Sequence, residues 1–240
     1  MNTPQNSKEI KRFSLYKFTT VDILLKILQP GGGFRFSAVE ELNDAFESID
    51  IKNPSLRTLS FSRCHSQLLM WAHYCNKYMG CSIKLDKEKY TNISAFEEVK
   101  YRPRNVRINA VDDKKKLTIK GKQWAYEKEH RIIIDTEKDL PPDIFLGGSG
   151  EGSGFYFLRP YIKQIAFGCN VQDSQGYLEV LRRIKDLNDK AVKNKRKGRD
   201  YIEVKKYAIS KNNFALEEVS SYNYEQEIVR LEARLKLAEI

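Results

Sequence analysis

The sequence predicts an α+β protein in which short mixed or antiparallel sheets pack against a few helices. Many short stretches alternate polar and apolar residues at the strand period, whereas only a few follow the helical period. Strands and helices do not alternate regularly along the chain, which argues against a doubly wound α/β sheet. A chain of 240 residues with 41% hydrophobic side chains can bury a substantial core.

The first predicted elements are a strand over residues 14–20 and a helix that follows it. Thr20 is suited to cap this helix, and its apolar positions recur at helical spacing until Pro30 and three glycines stop it. A second short strand, FRFS, covers residues 34–37. The polar residues 38–47 then predict a turn or a short helix.

The middle of the chain contains further strands around one helix. Residues 58–62, 81–86, 97–103 and 129–135 have strand patterns, and residues 66–80 predict a helix with Gly80 as its C-cap. Residues 111–123 carry many lysines between the last two of these strands, and we expect them to form a solvated loop.

The C-terminal part is predicted to be more basic and more helical. Residues 141–154 are rich in proline and glycine and predict a flexible loop, after which residues 155–168 return to a strand pattern. An amphipathic helix over residues 177–188, a strand and a final helix follow. We therefore divide the chain into a main α+β domain, residues 1–168, and a C-terminal extension, residues 169–240, packed on it or flanking it.

Charge and composition limit the partners and the location. The net charge of +10 favours anionic partners such as nucleic acid. No stretch approaches the roughly 20 apolar residues of a membrane span, and the N-terminus lacks the apolar region of a secretory signal. We expect a soluble, cytoplasmic protein without membrane contact. The four cysteines are too scattered for a disulfide framework, and a zinc site with their neighbouring histidines would match no common ligand spacing, so no metal is expected.

The segment WAYEKEHR, residues 124–131, is the strongest candidate for chemistry. As a strand it would place Glu127, Glu129 and Arg131 on one face, because side chains alternate with period two. Two buried carboxylates need a cation or a substrate between them, and Arg131 or Lys122 could supply the cation. The alternative is a structural Glu–Arg network on an exposed strand face.

Four blocks of the sequence together resemble a known bacterial family. They are LYKFTT, FRFSAVEELNDAFE, SFS with LLMWAHYCNKYMGCSIKLD, and KQWAYEKEHRIII. In order and spacing they resemble the bacterial domain-of-unknown-function 2971 family over about residues 14–168. Leu42 and Ala45 stand where Phe and Pro are usual, and His130 stands where Trp is usual, while the charged residues of the motifs are kept. The resemblance implies a fold more than an activity.

The order of the motifs is also similar to that of ADP-ribosyltransferases of the toxin and the DNA- or RNA-modifying kinds. That similarity implies a split sheet and NAD as substrate, with Glu129 as the principal catalytic residue and Glu127 as its helper. A carboxylate near the ribose would stabilise the oxocarbenium-like transition state. It further implies an enzyme that modifies a nucleic acid or a protein, as a bacterial toxin or an anti-phage defence effector with a protein partner such as an antitoxin.

Six other residues are candidates for binding NAD. Lys17 would contact the pyrophosphate or the adenosine ribose, where the toxin-like enzymes use His or Arg, and Arg35 is a phosphate contact. The serines would either bind the nicotinamide ribose or support the glutamate, and Tyr74 or its neighbour Trp71 would stack on the nicotinamide or a base. The set is Tyr16, Lys17, Arg35, Ser60, Ser62 and Tyr74. Each also has a structural alternative, as a surface lysine, a turn serine or a core aromatic.

The basic C-terminal stretch supports a second hypothesis, a non-catalytic nucleic-acid-binding or protein-interaction module. Its densest run is predicted to bind nucleic acid by counterion release, with Tyr201 and Tyr207 available for stacking. The run consists of Lys193, Lys195, Arg196, Lys197 and Arg199. The final helix is amphipathic, and it either docks on the domain or pairs with a second copy to form a homo-oligomer.

Overall fold

The computed structural model describes residues 13–49, 51–93, 96–103, 112–147, 154–195 and 200–238. The described strands are β1 (Tyr16–Thr19), β2 (Phe34–Arg35), β3 (Ser37–Ala38), β4 (Leu56–Ser62), β5 (Cys81–Leu85), β6 (Glu97–Glu98), β7 (Lys100–Arg102), β8 (Ile119–Gly121), β9 (Glu129–Asp135), β10 (Ile144–Leu146), β11 (Tyr156–Leu158), β12 (Ile162–Phe167), β13 (Glu203–Ile209) and β14 (Leu216–Glu218). The described helices are α1 (Val21–Leu28), α2 (Leu68–Tyr74), α3 (Asp113–Lys116), α4 (Gln175–Lys193) and α5 (Tyr224–Ala238). The predicted α+β class is confirmed.

A nine-stranded mixed sheet organises the structure. Its strand order is β14-β13-β12-β5-β1-β4-β9-β6, and β3 also pairs with β4. All described neighbours in this sheet are antiparallel except β12 and β13. The sheet therefore continues across residue 168, since β13 from the C-terminal extension pairs with β12 of the main domain.

One edge of β4 is only partly paired, and this opening positions the candidate site. β9 pairs along the other edge of β4 from Leu56 to Ser62. On the open edge, β1 pairs only at Ser62 and β3 pairs only at Arg57 and Thr58. The middle of β4 thus faces a gap between β1 and β3, where ladder hydrogen bonds give way to side chains.

Helices cover both faces of the sheet. α1 and α4 pack on one face in the largest apolar cluster, which contains Leu24, Leu59, Phe61, Leu178 and Leu181. α1 begins as predicted, because the Thr20 hydroxyl accepts a hydrogen bond from the Ile23 amide. α2 lies on the opposite face, where the fully buried Trp71 packs with Phe18 and Tyr207.

The predicted helix over residues 66–80 is shorter than expected. α2 ends at Tyr74, and Asn76, Lys77 and Tyr78 take positive φ angles of 44°, 54° and 69°. Gly80 is not a helix cap. A Cβ on it would lie 2.1 Å from the carbonyl oxygen of Thr19, so glycine allows this loop to approach β1.

The lysine-rich connector is not a solvated loop where the structure describes it. Residues 112–123 contain α3 and β8, and the side chain of Lys120 on β8 is buried. β8 pairs in parallel with β7, so this pair forms a separate small sheet. A run of lysines predicted exposure, but it could not show that carboxylates elsewhere in the chain would surround one of them.

Two of the predicted single strands are each divided between sheets. Residues 34–37 split into β2, which pairs with β11, and β3, which joins β4. Residues 97–103 split into β6 on β9 and β7 on β8. The alternation of side chains indicates extended backbone at both places, but pairing partners are set by tertiary structure. Among the described residues, no helix is long and apolar enough to cross a membrane.

Candidate active site

Five charged side chains form a buried ion cluster beside the gap in the sheet. They are Glu47, Lys120, Glu127, Glu129 and Arg131, each at most 6% exposed. The Lys120 ammonium lies 2.7 Å from a Glu127 oxygen, 3.3 Å from a Glu129 oxygen and 3.1 Å from a Glu47 oxygen. Such a cluster is tolerated inside a protein because each charge has partners of the opposite sign.

Arg131 holds Glu129 in a bidentate ion pair. Its Nε and Nη2 atoms donate to the two carboxylate oxygens over 2.6 and 2.9 Å, and Nη1 donates to the Leu117 carbonyl over 2.8 Å. Nη1 also contacts Glu47. Glu129 and Arg131 share one face of β9, as the alternation predicted, and they lie opposite Ser62 and Ser60 of β4.

Glu127 belongs to the same cluster, but it lies in a different element from the predicted strand. It is not on the strand, because it ends a 3-10 helix, Lys122–Glu127, and Lys128 then turns through the left-handed region at φ 45°. The Ser62 hydroxyl donates to the Glu127 carbonyl over 2.6 Å and holds this turn against β4. The prediction that Glu127 lies on the strand was wrong, although its carboxylate does meet Glu129.

The two carboxyl groups differ in their pKa. Burial alone would raise the pKa of Glu129, but Arg131 and Lys120 outweigh it and lower that pKa to about 2. For Glu127, burial dominates and raises the pKa, assisted by the neighbouring Glu129 charge and opposed by Lys120. The Glu129 carboxylate is therefore ionised at neutral pH, whereas the Glu127 carboxylate accepts a proton more readily.

Tyr74 connects Glu127 to the pocket mouth. Its hydroxyl donates to a Glu127 oxygen over 2.5 Å and accepts a hydrogen bond from the Asn43 amide over 3.2 Å. Burial and the Glu127 charge raise the pKa of Tyr74 far above its usual value. The phenol is therefore a fixed donor to Glu127 over the physiological pH range.

Lys17 spans the gap between β1 and β4. Its ammonium donates to the main-chain oxygen of Ser60 over 3.1 Å, in the stretch of β4 that β1 leaves unpaired. Desolvation lowers the pKa of Lys17 to about 8, with the Glu129 charge acting against that shift. Lys17 and Glu129 both line the opening.

These groups line a pocket of about 230 Å³, which we call the gap pocket. Its walls come from β1, β3, β4, α2, the loop before Glu47 and the ion cluster. Seven sequence candidates lie on it: Tyr16, Lys17, Ser60, Ser62, Tyr74, Glu127 and Glu129. Because the two glutamates are buried, the Glu–Arg network does not lie on an exposed strand face.

Arg35 lies just outside the lining of this pocket. Its guanidinium pairs over 3.0 Å with Glu41, which does line the pocket, and it stacks 4.9 Å from the centre of the Phe155 ring. The hydroxyl of Ser62 is engaged with the backbone of Glu127 and Cys64. Ser62 therefore positions Glu127 instead of presenting a free hydroxyl for a ribose.

Lys120 and Glu47 are the members of the cluster that sequence reasoning missed. Of the two cations that the sequence offered, Arg131 does pair with Glu129, whereas Lys122 is exposed, and Lys120 two residues earlier is buried in the cluster. The local pattern holds no signal for Lys120, because it lies between Ile119 and Gly121 on β8, on the opposite face of the strand from Ile119. Glu47 was expected in a polar turn with Asp44, and of the two only Asp44 caps that turn, by accepting from the Phe46 amide.

The basic C-terminal run is described only in part. Lys193 and Lys195 are exposed at the end of α4, whereas Arg196, Lys197 and Arg199 lie outside the described residues. Several other basic residues of this region face carboxylates, with Arg182 on Glu232, Lys205 on Glu218 and Lys206 on Glu227. The predicted availability of Tyr207 for stacking was wrong, because its ring packs on Trp71 in the interior.

The described residues show no arrangement for a metal ion. No group of three or more His, Cys, Asp or Glu side chains within them has suitable geometry. Cys64, Cys75, Cys81 and Cys169 are free thiols, and Cys75 and Cys81 are buried. Of the acidic residues in the turn before β4, Asp44 caps the turn and Glu47 belongs to the ion cluster.

Comparison with protein-family models, with curated proteins and with solved structures gave no match. The resemblance to the domain-of-unknown-function 2971 family stays a prediction from the four sequence blocks. The function is therefore inferred from the geometry of the gap pocket.

Proposed function

We propose that this protein is an ADP-ribosyltransferase-like enzyme that uses NAD to modify a nucleic acid or a protein. The observation that carries the proposal is the gap between β1 and β4. It brings Lys17 and Ser60, from two strands, to one pocket with Glu127 and Glu129. Basic, hydroxyl and paired acidic side chains that converge in a cleft are typical of a catalytic site.

Glu129 is suited to stabilise the transition state. In the proposed reaction the bond between ribose C1′ and the nicotinamide nitrogen breaks, and its electron pair stays with the nicotinamide. The ribose then carries developing positive charge, which a fixed anion in a desolvated site stabilises strongly. Arg131 and Lys120 keep Glu129 ionised and hold it in one orientation.

Glu127 is suited to activate the acceptor. An acceptor nucleophile bonds to C1′ and loses its proton, and Glu127 takes that proton as general base. A raised pKa makes Glu127 a better base than Glu129, and two carboxyls with divergent pKa values are what such a division of roles requires. Tyr74 orients Glu127 without taking part in bond making.

The size and charge of the gap pocket support one orientation of NAD. The gap pocket is smaller than the roughly 300–1,000 Å³ of sites that enclose whole ligands, so it suits the nicotinamide riboside half. Lys17 would then meet the pyrophosphate at the opening, and Arg35 lies beyond it for the adenosine side. The net charge of +10 favours an anionic acceptor.

Label transfer from NAD tests the proposal. Purified protein is incubated with NAD labelled on the adenylate, together with cellular RNA, DNA or protein, and free nicotinamide is measured in parallel. The Glu129→Gln variant should lose turnover by at least about a hundredfold. The matched control is Glu97→Gln, an exposed glutamate on β6 opposite Arg131.

Both variants are checked for folding by circular dichroism, because Glu129→Gln leaves two buried cations undercompensated. Tyr74→Phe, which keeps the charges, provides a second and milder probe of the same pocket. If neither nicotinamide release nor label transfer occurs with any acceptor, the proposed enzymatic activity is refuted. Salt-dependent nucleic-acid binding without turnover would instead favour the non-catalytic binding module.

A further inference from the structure

A second and larger pocket lies away from the ion cluster, and no step of the proposed reaction uses it. Its volume is about 610 Å³, within the roughly 300–1,000 Å³ range of small-molecule sites. It opens between the end of α1, the C-terminal half of α4 and the segment that leads into β12. We call it the α1–α4 pocket, and it shares no lining residue with the gap pocket.

The rim of the α1–α4 pocket is positively charged. Among the lining residues that the structure describes, there are four cations and one carboxylate, Asp200: Lys89, Arg159, Arg183 and Lys190 are the cations. Lys89 pairs with Asp200 over 2.8 Å, which leaves an excess of cations around the opening. The side chains of Arg159 and Lys190 are exposed at this rim. A concave surface with this balance attracts anions.

Arg183 has a structural role that also fixes its position. Its Nε donates to the carbonyl of Leu28 over 2.8 Å, at the C-terminal end of α1, where a cation is favourable. That bond uses one of the five N–H donors of the guanidinium. The group is therefore held against the pocket wall with its fork oriented by the protein, as anion recognition prefers.

The inner surface of the pocket is apolar and includes two aromatic rings. Ile162, Ala191 and Ile202 are each at most 6% exposed and form its base. Phe145 and Tyr161 are partly exposed on its walls, with Phe145 stacked on Phe157 and Tyr161 packed on Tyr90. Flat rings beside a basic rim suit a ligand that has a planar base and a phosphate.

We infer that the α1–α4 pocket binds a nucleoside phosphate. The base packs against the aromatic wall, and the phosphate meets Arg159 and Lys190 at the rim. This chemistry occurs in a free nucleotide and in one unit of a single-stranded nucleic acid. In the second case the pocket would hold an anionic chain on a different part of the surface from the gap pocket.

Calorimetric titration with four probes tests this inference: AMP, adenosine, inorganic phosphate and a short single-stranded oligoribonucleotide. AMP or the oligonucleotide should bind with an affinity that falls with salt, and more tightly than adenosine or phosphate alone. Tighter binding of AMP would identify a free nucleotide as the ligand, and tighter binding of the oligonucleotide a nucleic acid. Changing Arg159→Glu and Lys190→Glu together should weaken that binding by at least about tenfold.

Two control variants show whether the ligand binds in the α1–α4 pocket. Lys163→Glu reverses one charge at an exposed position on β12 outside both pockets, and it should leave affinity within about twofold. Tyr74→Phe alters the gap pocket but keeps its buried charges, and it should leave affinity unchanged. Because Arg159 and Lys190 are exposed, their single Gln variants should fold normally and should each weaken binding. Loss of binding in Tyr74→Phe, equal loss with Lys163→Glu, or no binding of AMP and oligonucleotide would overturn the inference.

Discussion

The Lys17 ammonium donates a hydrogen bond to the main-chain oxygen of Ser60 over 3.1 Å, across the gap where β1 and β4 stop pairing. A side chain therefore occupies the place of a ladder hydrogen bond. An anionic ligand that enters this opening would offer Lys17 a better partner than a carbonyl, since hydrogen bonds between ionised groups are stronger. The contact thus holds a cation at the place where the proposed pyrophosphate would enter.

The charge of Lys17 predicts how NAD binding depends on pH. Its pKa is lowered to about 8 by desolvation, so the amine is protonated below that pH and becomes neutral above it. We expect NAD affinity to fall as pH rises through about 8, measured by titration calorimetry. Lys17→Arg keeps its charge at all these pH values, so its affinity should stay level over the same range. Parallel pH profiles for both proteins would contradict this role.

The buried position of Lys120 predicts a large loss of stability on its removal. Lys120→Met leaves Glu47, Glu127 and Glu129 with Arg131 as their remaining cation in the cluster. We expect the free energy of unfolding to fall by about 3–5 kcal/mol in urea titrations. Lys122→Met, two residues along at an exposed position, should change it by less than about 0.5 kcal/mol. Equal effects would mean that the cluster is not formed in solution.

The hydrogen bond from Tyr74 predicts a shift in the pH profile of turnover. It lowers the pKa of Glu127, against the dominant effect of burial. Tyr74→Phe removes the donor, so the pKa of Glu127 rises further. If Glu127 is the general base, the acidic limb of kcat should then move to higher pH. Tyr78 lies outside the lining of the gap pocket, so Tyr78→Phe serves as the control. It should leave the acidic limb of the kcat profile at the same pH.

The contacts of α5 predict that this last helix stabilises the fold of its own chain. α5 buries Leu231 completely and Ile228 to 7% exposure in the main apolar cluster, and Arg230 pairs with Asp173. Leu231→Ala should lower the free energy of unfolding by about 2–5 kcal/mol. Val229→Ala, at a position 67% exposed, should change it little. Stability that depends strongly on protein concentration would instead indicate pairing of this helix with a second copy.

Local sequence patterns account for most of the elements and for several contacts. The Thr20 cap follows from the preference of threonine for that position, and the shared face of Glu129 and Arg131 follows from strand periodicity, and both act over a few residues. The sequence also indicated that Glu127 and Glu129 needed a cation. These conclusions hold because the period of a strand or helix decides which neighbours share a face.

The choice of cation and the remaining partners of the site came from the tertiary structure. Arg131 is one cation of the cluster, as the sequence offered, and the second is Lys120 and not Lys122, because β8 turns the Lys120 side chain toward Glu47, Glu127 and Glu129. The left-handed turn at Lys128 took Glu127 off the strand, and the partial pairing of β4 opened the gap at Lys17. Such features depend on contacts between residues far apart in the chain, where a local pattern carries no information. The local sequence motif thus identified the acidic pair and Arg131, whereas the tertiary structure determined the burial of the pair, its second cation and its pocket.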